Sequence, residues 1–259
     1  MNYPAPIINY KVSVIVPALN EENNISITLQ NIISAFDKIK CWGEIVIIND
    51  GSTDKTEAVV QNFMSTVPFI RIISHESPKG IGASFWKGVE VSQGDFVVLI
   101  PGDAEVDSYE ILRYLPLMNH VDIVIPFFFN RNVRSWTRRM ISKIYKGIIN
   151  LTFGLLLNYM NGTVMYRKSV LLELNLKSQG FFYQTELLIK AIKKEYLYAE
   201  VPCSLKSRLG GKSKALTIKS LLKVISAYLA TIYYVYAHQR ELKSLRTDSV
   251  TASRYKELL

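Results

Sequence analysis

Two short acidic segments hold the residue types best suited to chemistry. The first, Asn49-Asp50-Gly51-Ser52-Thr53-Asp54, follows the apolar run Val46-Ile47-Ile48. The second, Pro101-Gly102-Asp103-Ala104-Glu105, follows Val97-Val98-Leu99-Ile100. An apolar run that ends in a glycine turn reads as a buried strand delivering a carboxylate to its carboxyl end. In open α/β sheets that edge binds ligands. Two such ends make one acidic site, suited to a nucleotide and to a divalent cation, which takes oxygen ligands.

The cations lie elsewhere. Arg131, Arg134, Arg138, Arg139, Lys143 and Lys146 occur without an intervening acid and grade into Ile148, Ile149, Leu151 and Phe153. Such a segment suits a membrane interface, or a solvated basic face followed by a core helix. Lys206-Ser207-Arg208-Leu209-Gly210-Gly211-Lys212-Ser213-Lys214 suits phosphate, because glycines admit close backbone approach and arginine binds bidentately. A long apolar helix is expected over 217–242, with Lys219 and Lys223 at its start and a loose polar tail after it.

The elements that position these residues alternate. Strands are expected over 11–17, 44–48, 69–73, 95–100 and 121–126. Helices are expected between them, including 80–92 and 109–118. The turn Asn161-Gly162-Thr163 leads into a short strand. A helix follows from Phe181 to about 194, then a strand over 197–201 closed by Pro202. The pattern predicts an α/β fold with a mostly parallel sheet flanked by helices. Neither the glycine fingerprint of dinucleotide-binding folds nor a phosphate loop is present. The expected division is a catalytic unit over 1–215, with halves 10–126 and 127–215, then a C-terminal helix and polar tail over 216–259.

With 259 residues, 49% of them hydrophobic, the chain can bury one large core. The net charge of +9 calls for an anionic partner. Nucleic acid is disfavoured, since no helix-turn-helix, zinc or RNA-binding signature accompanies the charge. Cys41, Cys203 and three scattered histidines do not form a zinc or disulfide framework. Met1–Pro6 lacks the pattern of a signal peptide, and no run of about 18 unbroken apolar residues stands out. A cytoplasmic protein peripherally associated with the membrane is expected.

Residues 12–17 with Asn20-Glu21-Glu22, then Asn49 to Asp54, then Lys79-Gly80 with Gly82-Ala83, resemble family 2 glycosyltransferases of the GT-A fold. Asn161-Gly162-Thr163 with Tyr166-Arg167, the segment Phe181 to Glu186, and Pro202 followed by Arg208 and Gly211-Lys212-Ser213-Lys214 resemble the dolichyl-phosphate mannose synthase branch and its bacterial polyprenyl-phosphate relatives. The resemblance covers roughly residues 11–214. It implies an inverting transfer of a hexose from a nucleotide-diphosphate sugar to a polyprenyl phosphate. It assigns the nucleotide sugar to Pro17, Leu19, Asn20, Glu21, Asp50, Ser52, Lys79 and Gly80. It assigns Mg²⁺ or Mn²⁺ to Asp103 and Glu105, with Asp107 as a third acid, although the family's Asp-x-Asp is altered here. It assigns the acceptor phosphate to Arg131, Arg138, Arg139, Arg208, Ser213 and Lys214.

An anionic phosphate needs little help from a base. A saccharide acceptor would need one, and Glu186 is the candidate, with a helix N-terminal carboxylate as the plainer reading. The remaining alternatives are transfer to a saccharide or cell-surface glycan, and an inactive binding subunit. A homo-oligomer or a separate membrane subunit would also fit the C-terminal helix.

Overall fold

The computed structural model describes residues 12–130, 136–174, 176–204, 218–238 and 245–258, with the side chains of Arg138, Ile218 and Lys219 outside that description. Among the described residues seven strands form one sheet in the order β3-β2-β1-β4-β6-β5-β7. They are β1 (Val12–Ala18), β2 (Gly43–Asn49), β3 (Ile70–Ser74), β4 (Phe96–Leu99), β5 (Ile123–Phe128), β6 (Met165–Arg167) and β7 (Tyr198–Cys203). β1 pairs in parallel with β2 and β4, β2 with β3, and β5 with β7. Only β6 runs antiparallel, between β4 and β5.

Strand alternation divides the core. Val12, Val14, Val16, Ile45, Ile47 and Val98 face one layer, which holds α1 (Ile25–Ile39) and α2 (Thr56–Met64). Ile15, Val46, Ile48, Val97 and Leu99 face the other, with α3 (Ile81–Val91) and α7 (Tyr183–Lys193). Both faces of β1 and β2 are therefore apolar, as a covered parallel sheet requires. β7 runs through Pro202, where the sequence suggested closure. β7 has only β5 as a neighbour, and an edge strand tolerates the missing N–H.

Two helical expectations are corrected. The helix over 109–118 is instead α4 (Ser108–Leu112) followed by a 3-10 turn, Leu115–Asn119, with Pro116 in its first turn. Proline lacks the N–H that a continuous helix would need there. The loose tail is also wrong: α9 (Val250–Glu257) docks back on the sheet. The Val250 and Thr251 N–H groups each reach the buried Asp122 carboxylate at 2.9 Å, and the Thr251 hydroxyl does so at 2.6 Å. Arg167 Nε completes the set at 2.8 Å. The anchor is polar, so hydrophobic patterning did not show it.

α5 (Trp136–Phe153) and α8 (Ile218–Ala237) cover the second half, with the short α6 (Lys168–Glu173) between them in sequence. α8 leans on α5 through Tyr228, whose hydroxyl is 2.6 Å from Thr152 Oγ1, and through edge-to-face packing on Phe153. Its outer face is open. Leu222, Leu229 and Tyr233 are 63%, 57% and 70% exposed. Residues Ser220–Ala237 are long and apolar enough to cross a membrane by length and composition, which the sequence reading did not anticipate.

Candidate active site

Sheet geometry brings the carboxyl ends of β1, β2 and β4 together. Asp50 N donates to Ala18 O at 2.8 Å, and Gly102 N to Pro17 O at 3.2 Å. The loops that follow β1 and β2 are then laced by side chains. Asn20 N meets Ser52 Oγ at 3.0 Å, and Thr53 N meets Asn20 Oδ1 at 2.8 Å. Glu21 N donates to Thr56 Oγ1 at 2.8 Å and Lys55 N to Glu22 Oε2 at 3.0 Å. Asn20 has φ 56°, a left-handed conformation that asparagine tolerates better than most residues. Pro17, Leu19, Asn20, Glu21 and Ser52 thus lie on one edge.

Asp50 is buried beneath that edge. Its oxygens accept from Lys79 N and Gly80 N, both at 2.9 Å, and meet His75 Nδ1 at 2.8 Å. Burial pushes its carboxyl up, but the His75 bond and the two backbone bonds outweigh that effect and hold it below the usual range. Lys79 and Gly80 therefore meet Asp50 through their main chain. Close approach requires glycine at position 51: φ is 74°, and a Cβ there would fall 2.9 Å from Pro78. His75 was missed as a site residue. The available signal was its place at the carboxyl end of β3, where its N–H bonds Asn49 O at 2.8 Å.

Asp103 and Glu105 share a tight turn. Glu105 N donates to Asp103 Oδ1 at 3.2 Å, and Ala104 between them has φ 58°. Ala104 N is tied to Thr28 Oγ1 of α1 at 3.1 Å. Asp107 caps α4 by accepting from Tyr109 N, which gives it a structural task. No group of three or more His, Cys, Asp or Glu side chains able to hold a metal occurs among the described residues. Two carboxylates in one turn still fit Mg²⁺ or Mn²⁺ if phosphate oxygens from a ligand complete the shell, because Mg²⁺ commonly takes one or two carboxylates plus phosphates.

Beside the β4–β6 pairing, a loop of the second half, residues 176–180, packs against α3 near this edge. The buried Glu186 accepts from Lys177 N at 3.1 Å and Ser178 N at 2.9 Å, and pairs with Lys190 Nζ at 2.5 Å. Next along the loop, Gln179 O accepts from Gly82 N at 2.9 Å and Ala83 N at 3.3 Å, capping α3. A Cβ on Gly82 would lie 2.6 Å from Ser178 O, so the loop seats directly on glycine. Glu186 thus holds the loop backbone and an ion pair with Lys190. Of the expected acceptor residues, Arg139 stands half-buried on α5. Arg131, Arg208, Ser213, Lys214 and the Arg138 side chain lie outside the described residues.

The model of glycosyl transferase family 2 matches residues 13–174, from β1 through β6 to the end of α6. An uncharacterised glycosyltransferase of Escherichia coli is 27% identical over 72% of this chain and 58% of its own length. A dolichol-phosphate mannosyltransferase of Pyrococcus furiosus is 30% identical over 93% of this chain and 68% of its own. The chain thus spans between about half and two thirds of these relatives. A solved structure of glucosyl-3-phosphoglycerate synthase from Mycobacterium tuberculosis, with Mn²⁺, UDP-glucose and phosphoglyceric acid, superposes with TM-score 0.67 at 20% identity, covering 86% of this chain and 80% of that one. That likeness establishes a shared fold. The laced strand ends, the carboxylate turn after β4 and a family match across more than half the chain lead to one assignment: the chain belongs to glycosyl transferase family 2.

Proposed function

We propose that this chain transfers a hexose from a nucleoside-diphosphate sugar to the phosphate of a polyprenyl phosphate at the cytoplasmic face of a membrane. The donor lies along the β1–β2–β4 edge. Pro17, Leu19, Asn20, Glu21 and Ser52 line its nucleotide side, and Asp50 holds the Lys79–Gly80 backbone in place. Asp103 and Glu105 would hold Mg²⁺ or Mn²⁺, which supplies charge neutralisation for the departing diphosphate.

The observation that carries the acceptor reading is the open apolar surface of α5 and α8 beside cations. Ile141, Ile144, Ile148 and Leu151 recur at helical spacing on α5 and are all exposed, with Arg139, Lys143 and Lys146 on the same helix. A helix with apolar and cationic faces settles at an anionic bilayer surface, where a polyprenyl phosphate presents its headgroup. Arg131, Arg138, Arg139, Arg208, Ser213 and Lys214 then hold that phosphate. Its oxygen attacks the anomeric carbon while the bond to the diphosphate breaks, inverting configuration. The name of the Pyrococcus relative agrees with this acceptor class.

Glu186 supports the same choice. Its carboxylate is occupied by Lys177, Ser178 and Lys190, which suits positioning better than proton abstraction. A phosphate acceptor needs no such base. The test is a donor screen with purified protein, Mg²⁺ or Mn²⁺ and a short polyprenyl phosphate, read by product mass and anomer. A sugar-phosphoryl-prenyl product of inverted configuration is expected. Retention, or turnover on saccharides alone, would reject the reading.

A further inference from the structure

A cavity of about 460 Å³ lies between α7, α8 and the 177–182 segment, away from the carboxylate turn. Its charged lining is unusual for a helix–helix interface. Lys177, Lys190 and Lys223 face it, against the single carboxylate of Glu186. Lys190 is 2% exposed, and its Nζ sits 4.6 Å from the centre of the Tyr234 ring. Lys177 Nζ stands 5.8 Å from the same ring. His238 stacks on Tyr234 at 5.4 Å, and its Nδ1 is buried without a hydrogen-bond partner.

Among these lining groups, three lysines against one carboxylate leave two positive charges in excess. Burial and the nearby Lys177 charge both push the Lys190 ammonium down, opposed by Glu186. A second anion in the cavity would relieve that repulsion. The volume is larger than one phosphate requires. Phe181, Tyr233 and Tyr234 add apolar walls for the body that carries it.

We infer that this cavity is a binding site for a phosphate ester, held by Lys177, Lys190, Lys223 and His238. The site is separate from the proposed transfer chemistry. It adjoins that chemistry through the loop 176–180, which lines the cavity from Lys177 to Gly180 and whose Gln179 carbonyl caps α3. Two sources present the same group, a soluble phosphomonoester and the headgroup of an anionic lipid beneath the exposed face of α8.

The full chain is titrated at fixed ionic strength with glycerol phosphate by calorimetry, and separately with phosphatidylglycerol vesicles against phosphatidylcholine vesicles by sedimentation. Saturable binding is expected in at least one arm. Binding weakened about 10-fold or more in K177A/K223A, roughly 1.4 kcal/mol, is the supporting result. Both substitutions fall on side chains outside the buried core, so the fold survives, and a weaker effect of the same sign in K223A alone places the site beside α8. Loss in the glycerol phosphate arm identifies a soluble ligand, and loss in the vesicle arm alone identifies a lipid headgroup. Equal binding by wild type and double variant, or saturable binding in neither arm, overturns the inference. Neither arm contains nucleotide sugar or acceptor, so failure here leaves the transfer reading standing.

Discussion

Along the β1, β2 and β4 ends, functional side chains are fastened to backbone; along α5 and α8, large apolar side chains are turned outward. Asp50 spends its carboxylate on two amides and a histidine, and Asn20 joins two loops. By contrast, Leu151 of α5 and Leu222 of α8 are 87% and 63% exposed. The first region is preorganised for a small, charged ligand whose geometry is fixed. The second leaves large apolar side chains for a partner to cover. The segment 176–180 ties α3 to α7 between them.

The comparison can be broken at either side. The largest effect on transfer is expected from D103A. Removing the carboxylate proposed to hold the metal should lower transfer by about 10²–10³-fold. Its half-buried side chain accepts a hydrogen bond from the Glu105 N–H within the same turn, and the melting temperature should stay close to that of the wild type. Near-normal turnover would remove Asp103 from the site.

E186Q strikes the link. It breaks a buried ion pair and leaves Lys190 without its carboxylate, a change that costs about 3–5 kcal/mol. Urea unfolding would measure this. The residual transfer should keep the wild-type pH dependence, because Glu186 positions rather than abstracts. Loss of one limb of the profile would make it a base.

D50A should cost about 2–3 kcal/mol by leaving the Lys79 and Gly80 amides unpaired beneath the donor edge. The pH dependence has a defined sign. The Asp50 carboxyl is lowered in the folded state, so its contribution is fully present above the unfolded value of about 3.9. It is lost as pH falls through the folded value. Acid unfolding curves of wild type and D50A should therefore converge at low pH, and a constant gap would contradict this.

The smallest effect is expected from L229E on α8. Stability should change by no more than about 0.5 kcal/mol, since the site is exposed. Flotation with anionic vesicles should weaken by roughly 10-fold, from lost apolar contact and added repulsion. Unchanged flotation would detach α8 from the membrane account.

Much of the first half was legible because its signals are local and periodic. Strand patterning placed Asp50 and Asp103 at strand ends, and both stand there. What could not be read was what each carboxylate touches. Lys79 and Gly80 reach Asp50 through their main-chain amides, which side-chain identity does not reveal. His75 and Gln179 matter by position alone, one past β3 and one in a loop that caps α3. In the second half, Asp122 binds residues 128 and 129 positions away along the chain. Such a polar, long-range anchor leaves no periodic trace, so α9 read as a tail.

The central claim concerns the acceptor. With one active nucleotide sugar and Mg²⁺ or Mn²⁺ in detergent, initial rates are compared between a short polyprenyl phosphate and the corresponding polyprenol. The account predicts transfer to the phosphate and none to the alcohol, because the attacking oxygen must already be anionic. Comparable transfer to the alcohol would contradict it.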